Sequence, residues 1–211
     1  MCSACPLCNS PGVSGNLVKQ LTYYWCESCD YIFLDPGQRL TPEREKARYE
    51  EHNNSMEEPG YVKFLQAFLD GTVAPYLRPG MRILDYGCGP GPVLAELIRR
   101  AGFAAEVYDP FFSPTPPTGT YDLITCTEVL EHAYDPGALW TNLIKHLAAG
   151  GYICVMTRFH PGIGDFPGWW YHRDATHVVF YSQKTLEVIE RLYPLRLVQT
   201  DSFDKAVFQR V

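Results

Sequence analysis

Two sets of residues in this chain have the types and spacing to do chemistry. The first is Cys5-Pro6-Leu7-Cys8 with Cys26-Glu27-Ser28-Cys29, two Cys-x-x-Cys pairs separated by 17 residues. Each pair makes a turn that aims two thiolates at one ion. Two such turns complete a tetrahedral shell, which predicts zinc on Cys5, Cys8, Cys26 and Cys29. Cys2, three residues before Cys5, is a competing ligand at a terminus prone to fray. The second set is Glu128, Glu131 and His132, with His177 arriving from a later loop. At i, i+3 and i+4 of a helix the first three would share one side. Two carboxylates and an imidazole suit Mg²⁺ or Mn²⁺, which would hold two substrate hydroxyls and lower the pKa of the attacking one. His177 would then be a fourth ligand. Two other roles fit the same residues: His132 as a metal-free general base, or a structural set in which Glu128 caps a helix start.

The elements that must position these groups begin with Met81 to Pro92. The β-type run Ile83-Leu84 ends on Asp85 and enters a glycine turn, Gly87-Cys88-Gly89-Pro90-Gly91. A helical pattern follows, with Val93, Leu94, Leu97 and Ile98 at amphipathic spacing and Pro92 suited to the first helical position. Glycines let the backbone approach a ligand closely, and fresh helix N–H groups point into the site. Asp85 is placed to hold a cationic group. Ala105 to Tyr108 then reads as a second strand ending in Asp109, 24 residues beyond Asp85, in register for a carboxylate that binds two ribose hydroxyls. Dinucleotide-binding folds use the same logic.

The next strand, Leu123 to Cys126, leads into Thr127 and the Glu128–His132 set. The D-x-G-x-G-x-G pattern at 85–91 resembles motif I of the class I S-adenosylmethionine (SAM) methyltransferases. Glu128-Val129-Leu130-Glu131-His132 followed by Asp135-Pro136 closely resembles the ubiquinone-biosynthesis-type O-methyltransferases. The E-x-x-E-H pattern with a distant histidine is also similar to metal-dependent O-methyltransferases, small-RNA 2′-O-methyltransferases among them. The resemblance covers about residues 60–211. It implies SAM along the glycine turn, contacted by Asp85, Gly87, Cys88, Gly89, Gly91 and Asp109, with Thr125, Cys126 and Thr127 bordering the reaction center. It assigns catalysis to His132, His177 and Glu131. It also implies that N-terminal helices lid the cofactor, with Tyr49, His52 and Tyr61 as candidates. The three prolines of Phe111 to Gly119 depart from the family pattern and predict a shortened sheet edge, with Phe111 or Phe112 near the adenine.

Around these motifs the chain reads as three segments: a zinc ribbon at 1–37, a helical connector and cofactor lid at 38–80, and a methyltransferase domain at 81–211. Thr41-Pro42-Glu43 opens a charged helix, and a second, amphipathic one runs from Gly60. Residues 137–148 read as a helix and Gly150-Gly151 as the stop before a strand at Tyr152. The loop Pro161 to Thr176, rich in Trp and Phe, is expected above the substrate, with His172 and Asp174 orienting His177 or the loop. Ser182 caps a further helix, and Leu195–Thr200 with Ala206–Gln209 form a terminal antiparallel hairpin. The alternating order predicts an α/β fold, a Rossmann-like doubly wound sheet with that hairpin at its end.

Composition limits the function. With 211 residues, 46% hydrophobic and 20% charged, the chain is a globular one with a real core. Eight cysteines, five of them in the first thirty residues, suit a reducing cytoplasm and one metal site. The start lacks the basic-then-apolar pattern of a secretory signal, and no run reaches the length of a membrane span. A net charge of −6 argues against nucleic acid as a partner. The expected partner is a small hydroxylated metabolite. The alternatives are an RNA methyltransferase whose ribbon grips nucleic acid, and a catalytically silent SAM-binding protein. The sequence is silent on oligomeric state.

Overall fold

A computed structural model describes residues 4–51 and 54–211; the calls on Cys2 and His52 lie outside the described residues. The cysteine module is a three-stranded antiparallel meander, β1 (Val13–Val18), β2 (Leu21–Cys26) and β3 (Tyr31–Leu34). A fourth strand, β8 (Val179–Phe180), reaches it from far down the chain and pairs with β3 through Ile32–Phe180 and Phe33–Val179. Two helices follow the module: α1 (Pro42–Glu50), with Thr41 and Pro42 at its start as expected, and α2 (Pro59–Phe68).

The main sheet has six strands in the order β5-β4-β6-β7-β10-β9. Its parallel half is β4 (Ile83–Tyr86), β5 (Ala105–Tyr108), β6 (Tyr121–Thr127) and β7 (Leu147–Met156). The hairpin β9 (Leu195–Thr200) and β10 (Lys205–Arg210) adds antiparallel strands beside β7. Leu123, Ile124 and Cys126 are fully buried, the continuous apolar run required of a strand covered on both faces. The covering helices are α3 (Val93–Arg100), α4 (Pro136–Lys145) and α5 (Gln183–Leu192). Asp135 caps α4 by accepting from the Ala138 N–H, and Ser182 with Thr185 forms a capping box on α5.

The order places β5 and β6 on opposite sides of β4, so a crevice opens at the carboxyl ends of these strands. The proline-rich stretch 111–119 adds no strand beyond β5, which is the sheet edge. Two local expectations are revised. Pro92 precedes α3 rather than beginning it. Gly150-Gly151 does not stop the chain before a strand but lies inside β7, where Gly150 at φ +73 makes an irregularity and pairing continues from Leu147.

Cysteine module and sheet share one hydrophobic core, which runs from Tyr23, Phe33 and Phe180 to Ile124, Trp140 and Phe208. Polar contacts cross the same boundary. The Thr185 hydroxyl donates to the Cys29 carbonyl at 2.9 Å, His160 Nε2 to the Asp30 carbonyl at 2.7 Å, and Lys184 Nζ to the Glu27 carbonyl at 2.7 Å.

Candidate active site

The turn after β4 is shaped by what a side chain would strike. Gly87 has φ +79, and a Cβ there would meet Val129 Cγ2 at 2.2 Å; a Cβ on Gly91 would meet the Asn54 carbonyl oxygen at 1.9 Å. The turn is thus pressed between the segment after β6 and the chain between the two N-terminal helices. Its N–H groups are held from β5: Gly87 and Cys88 donate to the Tyr108 carbonyl, and Gly89 donates to Asp109 Oδ2 at 3.0 Å. Asp109 Oδ1 accepts from the Phe111 and Phe112 N–H groups, at 2.8 and 3.1 Å. The acid at the end of β5 is therefore fixed on both oxygens and faces the turn.

A cavity of about 450 Å³ lies over this turn, walled by Asp85, Gly87, Cys88, Gly89, Gly91 and Asp109 and by Phe111 and Phe112. Tyr49, Tyr61 and Leu65 of α1 and α2 form its cover. Asp85 is 2% exposed, accepts from the Thr125 hydroxyl at 2.8 Å, and has its pKa pushed up by burial to about 6. Burial likewise pushes the Cys88 thiol up to about 12, so it is a neutral wall. Of the three residues expected from β6, Thr127 lines the cavity. Thr125 is buried behind it, holding Asp85, and Cys126 is buried in the core.

At the far end of the cavity Glu131, His132 and His177 come together, with their ligand atoms all within 4.8 Å of one another. The expected helical side does not form. Glu128 follows β6 with φ +53, Leu130–His132 is a single 3-10 turn, and α4 starts only after its Asp135 cap. Glu128 stands outside the three-residue cluster and reaches it through Tyr171, whose hydroxyl lies 3.2 Å from Glu128 Oε2 and donates to Glu131 Oε1 in a shorter bond. One phenolic hydrogen faces two carboxyl groups. Burial, then the charge of Glu131, pushes the Glu128 pKa up, which favours sharing of protons among the three groups.

The two imidazoles are oriented by backbone. His132 Nδ1 lies 2.9 Å from the Thr176 carbonyl and His177 Nδ1 2.7 Å from the Tyr171 carbonyl. A carbonyl only accepts, so each ring carries a proton on Nδ1, and Nε2 is the nitrogen left to meet a ligand. Burial holds the His132 pKa below its ordinary value, so that ring is neutral near pH 7. Long-range pairing makes the cluster: the Val178 N–H donates to the Glu131 carbonyl at 2.9 Å, seating His177 beside His132 with ring centroids 4.9 Å apart. Asp174, although burial opposes it, is held well below the carboxylate range by Arg48 of α1 at 2.9 Å and by Thr176. Glu131 is fully buried and its Oε2 has no hydrogen-bond partner. A buried carboxylate with an orphaned oxygen, clustered with two imidazoles, fits a cation.

The four cysteines form the second cluster. The Cys5–Cys29 and Cys8–Cys26 sulfur pairs are each 3.6 Å apart, and all four sulfurs lie within 4.8 Å. Zn–S bonds of about 2.3 Å put tetrahedral sulfur edges near ~3.8 Å, so this geometry fits zinc.

In the aromatic loop, the rings of Phe166 and Trp169 face the cysteine module rather than the cofactor cavity. Phe166 is fully buried, its ring 5.0 Å from Tyr23 of β2 and 5.0 Å from Phe180 of β8, and Trp169 packs 5.7 Å from Phe180. These rings join the cysteine module to the domain; none of them lines the cavity over the glycine turn, to which the neighbouring segment contributes His177. Two contributors were not foreseen. Glu45 of α1 is buried against the cavity and bonded to Tyr49, an i, i+4 pair whose common face was readable. Tyr171 acts through partners 40 and 43 residues away, for which local sequence carries no signal.

Sheet order, glycine turn and strand-end acids define a methyltransferase. Residues 58–200 match the family described as "Methyltransferase domain", and the chain belongs to that family and is an enzyme of that class. It is 31% identical to a ubiquinone biosynthesis O-methyltransferase of Caulobacter sp. (strain K31), over 37% of this chain and 41% of that one. With the protein of the same description from Xanthomonas campestris pv. campestris (strain B100) it shares 27% identity, over 42% and 48%. The match therefore covers less than half the length of these relatives. Among solved structures, a SAM dependent methyltransferase from Archaeoglobus fulgidus aligns with a TM-score of 0.53 at 16% identity, over 71% of this chain and 94% of that one. An O-methyltransferase family protein from Burkholderia thailandensis aligns with a TM-score of 0.53 at 13% identity, over 79% and 62%. These likenesses show the doubly wound fold. Among the described residues, no helix is long and apolar enough to cross a membrane.

Proposed function

We propose that the protein methylates an oxygen of a small hydroxylated metabolite, with SAM as donor and a divalent cation at Glu131, His132 and His177. The observation that carries this reading is the fully buried Glu131 with its unpartnered Oε2, set against two imidazoles whose Nδ1 atoms are already satisfied. When bound, SAM supplies an electrophilic methyl group on a sulfonium. Asp85, Gly87, Gly89 and Asp109 would hold it, Asp85 as the anionic partner of a cationic group and Asp109 toward the ribose. Mg²⁺ or Mn²⁺ at the carboxylate and imidazoles would lower the pKa of an acceptor hydroxyl.

The chain's own residues do the rest. His132 and His177 present Nε2 nitrogens that can coordinate the cation or take the hydroxyl proton. Tyr171 keeps Glu131 in place and ties Glu128 to it. The α1 and α2 cover excludes water from the cavity, where positioning accounts for much of the rate. Zinc on Cys5, Cys8, Cys26 and Cys29 is proposed as the staple of the N-terminal module, with sulfur spacing in support. The resemblance to ubiquinone-pathway O-methyltransferases favors oxygen as the acceptor.

His132→Ala is the direct test. Turnover of a dihydroxylated aromatic acceptor should fall by at least 100-fold while S-adenosylhomocysteine affinity by calorimetry stays within about twofold, since the variant keeps the glycine turn. Mn²⁺ titration of the zinc-loaded protein, followed by electron paramagnetic resonance, should show one bound ion that this variant loses. Full turnover in His132→Ala would rule out both cation and base; wild-type turnover without Mg²⁺ or Mn²⁺ would leave His132 as a base alone.

A further inference from the structure

A second cavity of about 480 Å³ opens where the cysteine module meets the methyltransferase domain, and His177 lines both it and the cofactor cavity. Its floor and sides are apolar: Val18 and Leu21 of the β1–β2 hairpin, Leu34 at the end of β3, and Leu40. Of its polar groups, Gln38 and the Tyr23 hydroxyl are bonded to backbone, and the charges left uncommitted are positive. Lys19 sits at the hairpin tip, and Arg173 stands opposite on the loop that leads to His177. Between them is His172, 5% exposed, with its Nε2 buried and without a hydrogen-bond partner. The charges of Lys19 and Arg173 both reach this ring, adding to the burial that keeps it neutral. The one carboxylate in the lining, Asp174, is committed to Arg48 and Thr176. A cavity with an apolar body, two cations and an orphaned imidazole nitrogen is built for an amphipathic anion.

We propose that this cavity is the acceptor site and that the acceptor is a hydroxylated apolar molecule bearing an anionic group, a carboxylate or a phosphate. The proposal rests on the methyltransferase reading above and adds the acceptor's chemistry. The shared His177 gives the orientation. The hydroxyl end lies at the Glu131–His132–His177 cluster, the apolar body runs along Leu34, Leu21 and Val18, and the anion meets Lys19 and Arg173. His172 Nε2 takes a hydrogen bond from, or gives one to, the bound molecule. On this account the cysteine module is one wall of the acceptor site, so it selects the substrate as well as stapling the fold. The aromatic loop acts beneath it, since Phe166 packs 5.0 Å from the His172 ring and sets its position.

The test is a matched-pair binding experiment on the zinc-loaded, full-length protein saturated with S-adenosylhomocysteine. Dihydroxylated alkylbenzenes are compared by saturation-transfer NMR with the same compounds ending in a carboxylate or a phosphate monoester. At least one anionic form should bind tenfold or more tightly than its neutral partner and shift the His172 ring resonances. The double variant Lys19→Asn, Arg173→Gln should lose that preference and keep its affinity for S-adenosylhomocysteine. Both side chains are exposed, and asparagine tolerates the φ of +48 at position 19. Carboxylate and phosphate series then separate the two sources of the anion. Equal binding of neutral and anionic forms, or a preference that survives the double variant, overturns the proposal. Failure of S-adenosylhomocysteine itself to bind would instead strike at the methyltransferase reading.

Discussion

Asp85 links the chemistry of a single group to the behavior of the whole site. Its carboxyl is buried at the end of β4, and burial outweighs the Thr125 hydrogen bond in raising its pKa from the ordinary 3.8 to about 6. If the carboxylate holds the ammonium of the cofactor, ligand and proton compete for it. Above pH 7 the group is already ionised and affinity should be flat. Below about pH 6 the proton must be displaced, and affinity should fall by up to tenfold per pH unit. Calorimetric titration of S-adenosylhomocysteine from pH 5 to 8 reads this slope, and Asp85→Asn should flatten it at a uniformly weaker affinity. A slope that persists in the variant would move the titration to another group. Sequence alone located Asp85 and Asp109, because an acid closing a strand before a glycine turn is a local pattern. It could not reveal the cluster chemistry in the same way: the phenol joining Glu128 to Glu131 and the carbonyls orienting the two histidines come from the loop at 171–176.

Elements were legible where one local rule decided them. The Ser182 cap, the Pro42 start, the glycine-turn helix and the terminal hairpin each follow from capping or periodicity, and each is present. The segment 128–132 misled because i, i+3, i+4 spacing does not exclude a single 3-10 turn, and the stronger N-cap, Asp135, starts the helix later. The packing of the aromatic loop was not legible because Phe166 has its partner on β2, more than 140 residues away. The cover over the cavity is the element whose fit is most testable. Gly91 has no room for a side chain because the Asn54 carbonyl would sit 1.9 Å from a Cβ. Gly91→Ala should therefore push the segment between α1 and α2 off the turn without touching the sheet. Affinity for S-adenosylhomocysteine should drop about tenfold, roughly 1.4 kcal/mol, and amide exchange should rise from Asn54 to Tyr61. Unchanged exchange together with unchanged affinity would mean that the cover does not bear on the turn.

At the scale of the molecule, the cysteine module is continuous with the enzyme rather than appended to it. Strand β3 pairs with β8, two residues beyond His177, and the Leu34 N–H donates to the Val178 carbonyl at 2.8 Å. Val178 in turn donates to Glu131, so a short run of backbone hydrogen bonds connects the cysteine knuckles to the candidate catalytic cluster. Thr185, fully buried, adds its bond to the Cys29 carbonyl at the start of α5. A structural zinc contributes on the order of 10 kcal/mol of binding free energy that becomes folding free energy. With one shared core, that energy cannot stay in the module. Removing the zinc with a chelator, or replacing Cys29 with Ser, should lower the midpoint of a single cooperative melting transition by ten degrees or more. Mn²⁺ binding at Glu131, His132 and His177 should weaken in step with zinc loss, because His177 is positioned through β8. Calorimetry and metal analysis on the same samples give both readouts. A melt that splits in two, with the larger transition unmoved and Mn²⁺ affinity intact, would show the module to be an independent domain. A single transition that falls with the zinc content would show module and enzyme to fold as one unit.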